Sequence, residues 1–127
     1  MAAFRSFEEI DAWSCGRELG KMVYALAAVG LFSKDWGFRD QIQRAAVSIC
    51  SNIAEGFGRR GNREFVDFLW IAKGSCAEVP SQMYHAKDLG YVSEEDFQSV
   101  YQRTAKISAE LYGLIKYLNT HLKQNKI

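Results

Sequence analysis

Apolar residues return at helical spacing along four stretches of this chain, and each stretch is bounded by its own start and stop residues. In the first, from about Phe7 to Val29, one face carries Ile10, Trp13, Gly20, Val23, Tyr24 and Ala27. Ser6 followed by Glu9 has the form of a capping box, and Gly30 can supply a left-handed stop. The loop that follows, Leu31 to Gly37, holds Leu31, Phe32 and Trp36, which predicts that it folds back over the bundle end. The second helix, from about Arg39 to Glu55, repeats Ile42, Ala45, Ala46, Ile49 and Ile53 before Gly56, Gly58 and Gly61 break it. The third runs from about Arg63 to Leu89, with Asn62 as N-cap and Gly90 as stop. Phe65, Phe68, Leu69, Ala72, Cys76, Val79, Met83 and Ala86 form its near-heptad stripe, and Pro80 inside it predicts a kink near Cys76. The fourth, from about Glu94 to Leu122, is capped by Ser93. It carries the cleanest stripe: Phe97, Val100, Thr104, Ile107, Leu111, Leu114, Leu118 and Leu122.

No strand-like alternation competes with these four segments. Long amphipathic helices joined by short connections imply antiparallel neighbours, so the pattern predicts an all-α fold: one up-down four-helix bundle domain spanning residues 1–127. Tyr24, Phe32, Trp36, Phe57, Tyr91 and Tyr112 exceed what one small core needs, and such an excess predicts an interface between copies.

Composition adds little to the fold and more to the chemistry. Cys15, Cys50 and Cys76 are odd in number and widely spaced, so neither a disulfide framework nor a zinc site is expected. The two histidines, His85 and His121, lack the carboxylate three residues earlier that bundle metal sites use. Gly56-Phe57-Gly58-Arg59-Arg60-Gly61 follows a helix rather than a strand and lacks the Lys-Ser/Thr ending of a phosphate loop. The expectation is therefore a protein with no catalytic residue, no metal and no cofactor. With no apolar signal core and no run long enough to span a bilayer, a reducing cytoplasm is the expected setting, without membrane attachment.

The net charge is only +1, but it is uneven. Residues 41–63 set Arg44, Arg59, Arg60 and Arg63 against Glu55 alone, a local +3. Residues 97–127 set five cations, Lys123 and Lys126 among them, against Glu110, a local +4. Arginines on a glycine-rich loop can reach phosphates without competing with a helix backbone. Arg44, Arg59, Arg60 and Arg63, with Lys123 and Lys126, are thus the candidate nucleic-acid contacts. Ser48, Asn52 and Glu55 share a helix face, and Glu78 on the third helix is the expected partner for a basic residue there. These four read as a structural polar seam that fixes register, because buried polar groups usually satisfy one another.

Residues 41–59, Gln-Ile-Gln-Arg-Ala-Ala-Val-Ser-Ile-Cys-Ser-Asn-Ile-Ala-Glu-Gly-Phe-Gly-Arg, closely resemble the signature of the bacterial 23S ribosomal RNA intervening-sequence proteins. Phe68-Leu69-x-Ile71-Ala72-x-Gly74-Ser75-x-x-Glu78 resembles their third helix, and Trp13, Phe32 and Leu89-Gly90-Tyr91 also match. The resemblance implies a four-helix bundle that assembles as a homopentamer around a channel, without established catalytic activity. It also implies kinship with the accessory variability protein of diversity-generating retroelements, which binds a reverse transcriptase and nucleic acid through basic residues. This chain departs from the pattern at Cys50 and Ser33, where members commonly carry proline, and at Pro80, where they lack one. The partners this implies are RNA or DNA, or a reverse transcriptase. A purely structural protein–protein assembly module is the alternative.

Overall fold

A computed structural model describes residues 4–124, with side chains described as far as His121. Four α-helices fill it: α1 (Asp11–Ala27), α2 (Trp36–Phe57), α3 (Asn62–Asp88) and α4 (Glu94–Gln124), with no strand among the described residues. Each helix packs on its neighbours in chain order and α4 closes back on α1, giving the expected antiparallel four-helix bundle. In this square arrangement the α1–α2 side lies opposite the α3–α4 side.

The core is one continuous cluster. The stripe of α4 is buried from Phe97 through Leu118 as its periodicity predicts, joined by Ile115; the side chain of Leu122 lies outside the described residues. Ile42, Ala45, Ala46, Ile49 and Ile53 of α2 are all buried, and so is most of the α3 stripe. Pro80 lies within an α3 that runs unbroken from Asn62 to Asp88.

The ends of the helices depart from the pattern. The first α-helix begins at Asp11 because the chain makes a separate 3-10 turn over Phe7–Glu9 and then extends at Ile10, which drops the Ile10 side chain into the core. The expected Ser6–Glu9 capping box does not form: Ser6 makes no capping bond, and the Glu9 carboxylate accepts instead from the Arg5 backbone N–H at 2.8 Å. The buried stripe of α1 is Ala12, Gly16, Leu19, Val23 and Ala27, leaving Tyr24 on the outer surface. α1 stops at Ala27, before Gly30 turns the chain at φ +59°.

Only Phe32 of the three apolar loop residues folds inward. It stacks on Phe38 and Tyr91, whereas Leu31 and Trp36 stay exposed. The second helix starts three residues earlier than its stripe suggested, because Asp35 serves as N-cap and accepts from the Phe38 N–H. The Tyr91 hydroxyl donates to the other oxygen of Asp35 at 2.8 Å, which ties the α3–α4 connection to the start of α2. Asn62 is the first helical residue of α3 rather than its cap. Gly61 takes the N-cap place at φ +100°, a conformation that favours glycine. Ser93 caps α4 as expected, accepting from the Asp96 N–H at 3.0 Å.

Gly56 is helical and buried rather than the break it resembles. A Cβ there would stand 2.6 Å from the Cβ of Phe68 and 3.3 Å from the Phe65 carbonyl. Its absence lets α2 and α3 approach closely. Gly56→Ala is therefore expected to lower stability by about 1–3 kcal/mol, the usual cost of overpacking, although alanine is normally the better helix residue. Gly113→Ala, where a Cβ meets nothing within 4 Å, should instead gain about 0.4–1 kcal/mol. Denaturant midpoints of the two variants, moving in opposite directions, are the check.

Candidate nucleic-acid interface

The α2–α3 connection is short because Gly58, Arg59, Arg60 and Gly61 turn the chain within a few residues. The same end of the bundle receives the C-terminal half of α4. A cavity of about 290 Å³ there is lined by Phe57, Arg59, Asn62 and Phe65 from the connection and the helix ends beside it, and by Leu114, Tyr117 and His121 from α4.

Arg59, Arg60 and Arg63 project from this end, all exposed. They differ in their engagements. Arg59 pairs with Glu55 and lays its guanidinium 4.9 Å from the centre of the Phe68 ring. Arg60 and Arg63 have no ion pair among the described residues. Arg44 does not join them. It lies thirteen residues before the end of α2, about 20 Å along the helix at 1.5 Å per residue. It lines an open groove between α2 and α3 with Gln41, Ser48 and Glu78. Lys126, and the side chain of Lys123, lie outside the described residues.

Part of the polar seam forms. The Asn52 amide donates to the Ser48 carbonyl at 2.8 Å and to its hydroxyl at 2.9 Å, and the Ser75 hydroxyl donates to Ser48 Oγ at 3.0 Å. This chain of bonds joins α2 to α3. Ser75, which is buried, is the member that sequence reasoning missed; a small polar residue within an apolar stripe was the signal. Glu55 is not in the seam but in the pair with Arg59, because its place at the end of α2 faces solvent and the arginine loop. Glu78 is exposed and shares the groove with Arg44, without an ion pair between them.

Lys116 is a further cation on α4. It lies 5.5 Å from the Tyr112 ring centre, and Lys73 of α3 lies 5.9 Å from the same ring. Tyr112 in turn meets Trp70 edge to face at 6.4 Å. Aromatic spacing on two different helices brings these four together, which no single-helix pattern displays.

Cys50 and Cys76 are built to stay thiols. Burial pushes Cys50 up to about 11 and Cys76 up to about 12 from an ordinary value of 9.0, outweighing the opposing charges of Arg17 and Lys73. The Cys50 thiol donates to the Trp13 carbonyl at 3.3 Å. A raised folded-state value means that the fold favours the neutral thiol. This contribution is complete below about pH 9 and is lost as pH rises from there, since the unfolded chain ionises first. An aromatic disulfide reagent at pH 7 should leave Cys50 and Cys76 unmodified in the native protein and titrate both in denaturant. Peptide mapping of the modified residues would show it.

Among the described residues, no group of three or more His, Cys, Asp or Glu side chains could hold a metal ion, and no helix is long and apolar enough to cross a membrane. What these features define is an all-α bundle with a cationic loop at one end and aromatic surface along its sides. The chain belongs to the family of 23S rRNA-intervening sequence proteins, whose model matches residues 8–113. It is similar in fold to a crystal structure, at 1.70 Å resolution, of a protein of unknown function from the S23 ribosomal protein family of Bacteroides thetaiotaomicron VPI-5482. That likeness has a TM-score of 0.75 and 21% identity, over 83% of this chain and 98% of the other. No curated protein matches the chain.

Proposed function

We propose that the protein is a non-enzymatic homo-oligomer, pentameric in its assembled form, that binds RNA or DNA through Arg59, Arg60 and Arg63. The observation that carries the reading is the pair Arg60 and Arg63, exposed at one end of the bundle with no carboxylate partner among the described residues. Repeating the loop around a closed ring gathers about ten such guanidinium groups on one surface, and summed fields of this kind concentrate polyanions. The family is named for an intervening sequence of 23S rRNA, and a polyanionic partner is in keeping with that name. A nucleic-acid enzyme such as a reverse transcriptase would be drawn to the same surface through the strand it carries. Light scattering should give a mass five times the 14.4 kDa of one chain. Titration with single- and double-stranded RNA and DNA at two salt concentrations tests the second half of the reading.

The second reading is a protein–protein assembly module without nucleic-acid binding. The exposed Trp70–Tyr112 pair favours it, because aromatic side chains of this kind anchor protein interfaces. Absence of nucleic-acid binding even at low salt would decide for it.

A further inference from the structure

The outer surface of the α3–α4 side carries two large aromatic side chains that the core does not use, Trp70 and Tyr112, each 48% exposed. Helix spacing sets what stands beside them. Arg63 lies seven residues before Trp70 on the same face of α3, about 10 Å along the axis. Lys73 follows Trp70 by three residues, and Lys116 follows Tyr112 by four on α4, so each lysine neighbours its aromatic residue.

The folded bundle joins the two helices' contributions. The indole meets the phenol ring edge to face at 6.4 Å, and the two ammonium groups stand 5.9 and 5.5 Å from the centre of the phenol ring. Neither lysine has an ion pair among the described residues. Gly74, one turn beyond Trp70, has no side chain, and a Cβ there would meet nothing within 4 Å. A longer side chain at that position would lean back over the preceding turn and cover the indole. The glycine leaves the ring bare.

A bare indole among unpaired cations makes a poor centre for a protein interface. Lysine is depleted there, because its compact ammonium is strongly hydrated and resists burial. A nucleobase suits the same surroundings. Its flat face stacks on an aromatic ring while its phosphates meet cations that remain in water. Only an unpaired base offers that face, since a duplex keeps it inside its own stack.

Charge fixes the direction of the strand. Arg60, Arg63, Lys73 and Lys116 occupy the half of the α3–α4 side nearer the arginine loop. The far half ends in Asp88 and the acidic first turn of α4, Glu94, Glu95 and Asp96. The exposed pair Tyr84 and Tyr101 stands at that acidic end, where carboxylates repel a phosphate backbone. Two carboxylates lie nearer Trp70 and Tyr112: Asp67, one turn before Trp70, and Glu110, which turns instead to Cys15 on the α1 side of α4.

We infer that the nucleic acid this protein takes is single-stranded: Arg60 and Arg63 hold its backbone, one base stacks on Trp70, and Lys73 and Lys116 meet the neighbouring phosphates. Tyr112 positions the others, bracing the indole and drawing both ammonium groups to its ring. This rests on the nucleic-acid reading of the arginine loop and extends the contact from the loop onto the helix face.

Three probes test it: a single-stranded oligoadenylate, a duplex of the same length, and inorganic polyphosphate, which has the charge without the bases. Trp70 emission is read in the full chain carrying Trp13→Phe and Trp36→Phe, which replace the other two tryptophans. The single strand should quench it, whereas the duplex and polyphosphate should leave it near its starting value. Trp70→Ala should weaken single-strand binding by about tenfold and leave polyphosphate binding and the salt slope unchanged. Trp70→Phe should recover most of that loss, and Tyr101→Ala should bind as wild type does. Lys73→Gln/Lys116→Gln should make the slope shallower by about 1–2. Unchanged single-strand affinity in Trp70→Ala, or equal quenching by the duplex, would overturn the inference and leave the arginine loop standing. A Trp70→Ala chain that loses its assembled mass by light scattering would show that this face joins copies of the chain, and would overturn it too. Failure of all three probes to bind at low salt would instead overturn the nucleic-acid reading itself.

Discussion

Leu111→Ala is expected to lower the stability of the bundle by about 2–5 kcal/mol. Leu111 is completely buried at the middle of the α4 stripe, with Ile107, Leu114 and Ile115 buried on either side of it along the helix. Truncation removes the transfer free energy of the leucine side chain and leaves a cavity that rigid helix neighbours close only in part. Asn119→Ala, a few residues further on but exposed, should change stability by no more than about 0.5 kcal/mol. The contrast tests which face of α4 looks inward. Because an assembling protein's apparent stability depends on its concentration, both variants should be unfolded in denaturant at the same protein concentration as wild type. A loss for Leu111→Ala below about 1 kcal/mol would mean that the stripe does not face the core.

That stripe was legible because a residue buried on one side of a regular helix leaves a mark every three or four positions. The helix interiors of α2, α3 and α4 were all read from such marks. The helix ends were not, and each failure has a local cause. Ser6 and Glu9 have the spacing of a capping box, but burying Ile10 requires extended backbone there, and a helix cannot begin across it. Gly56 has the look of a helix breaker, yet Phe68 requires a residue without a Cβ at that point in a helix–helix crossing. Sequence spacing reports on one element at a time, whereas these residues answer to a neighbour.

The candidate site divides in the same way. Arg59, Arg60 and Arg63 are close in sequence, and the short connection keeps them close in space. Arg44 belongs to the same charged stretch of sequence but points from the middle of a long helix, so a regional charge count joins what helix geometry separates. Glu55 was legible as a polar helix-face residue, but its pairing with Arg59 depends on where the chain turns after α2.

Replacing Arg59, Arg60 and Arg63 together with alanine should weaken nucleic-acid binding and flatten its salt dependence. Each phosphate contact made by an arginine releases condensed counterions, so the logarithm of affinity falls with the logarithm of salt by about 0.7–0.9 per contact. Losing two or three contacts per bound copy should make the slope shallower by about 2. The three arginines are not equivalent. Arg59 is tied to Glu55 and lies over Phe68, and removing it also frees that carboxylate to repel a phosphate. Arg60 and Arg63 have no such attachment among the described residues, so Arg60→Ala/Arg63→Ala isolates these two guanidinium groups. That double variant should account for most of the change in slope, with its fold and mass unaltered because neither side chain is part of the core. Arg44→Ala, placed about 20 Å from the loop along α2, should leave the slope near wild type if the loop alone meets the strand. A folded, fully assembled double variant that binds with unchanged affinity and slope would remove the loop from the interface. A slope that responds to Arg44 and not to Arg60 and Arg63 would move the contact to the α2–α3 groove.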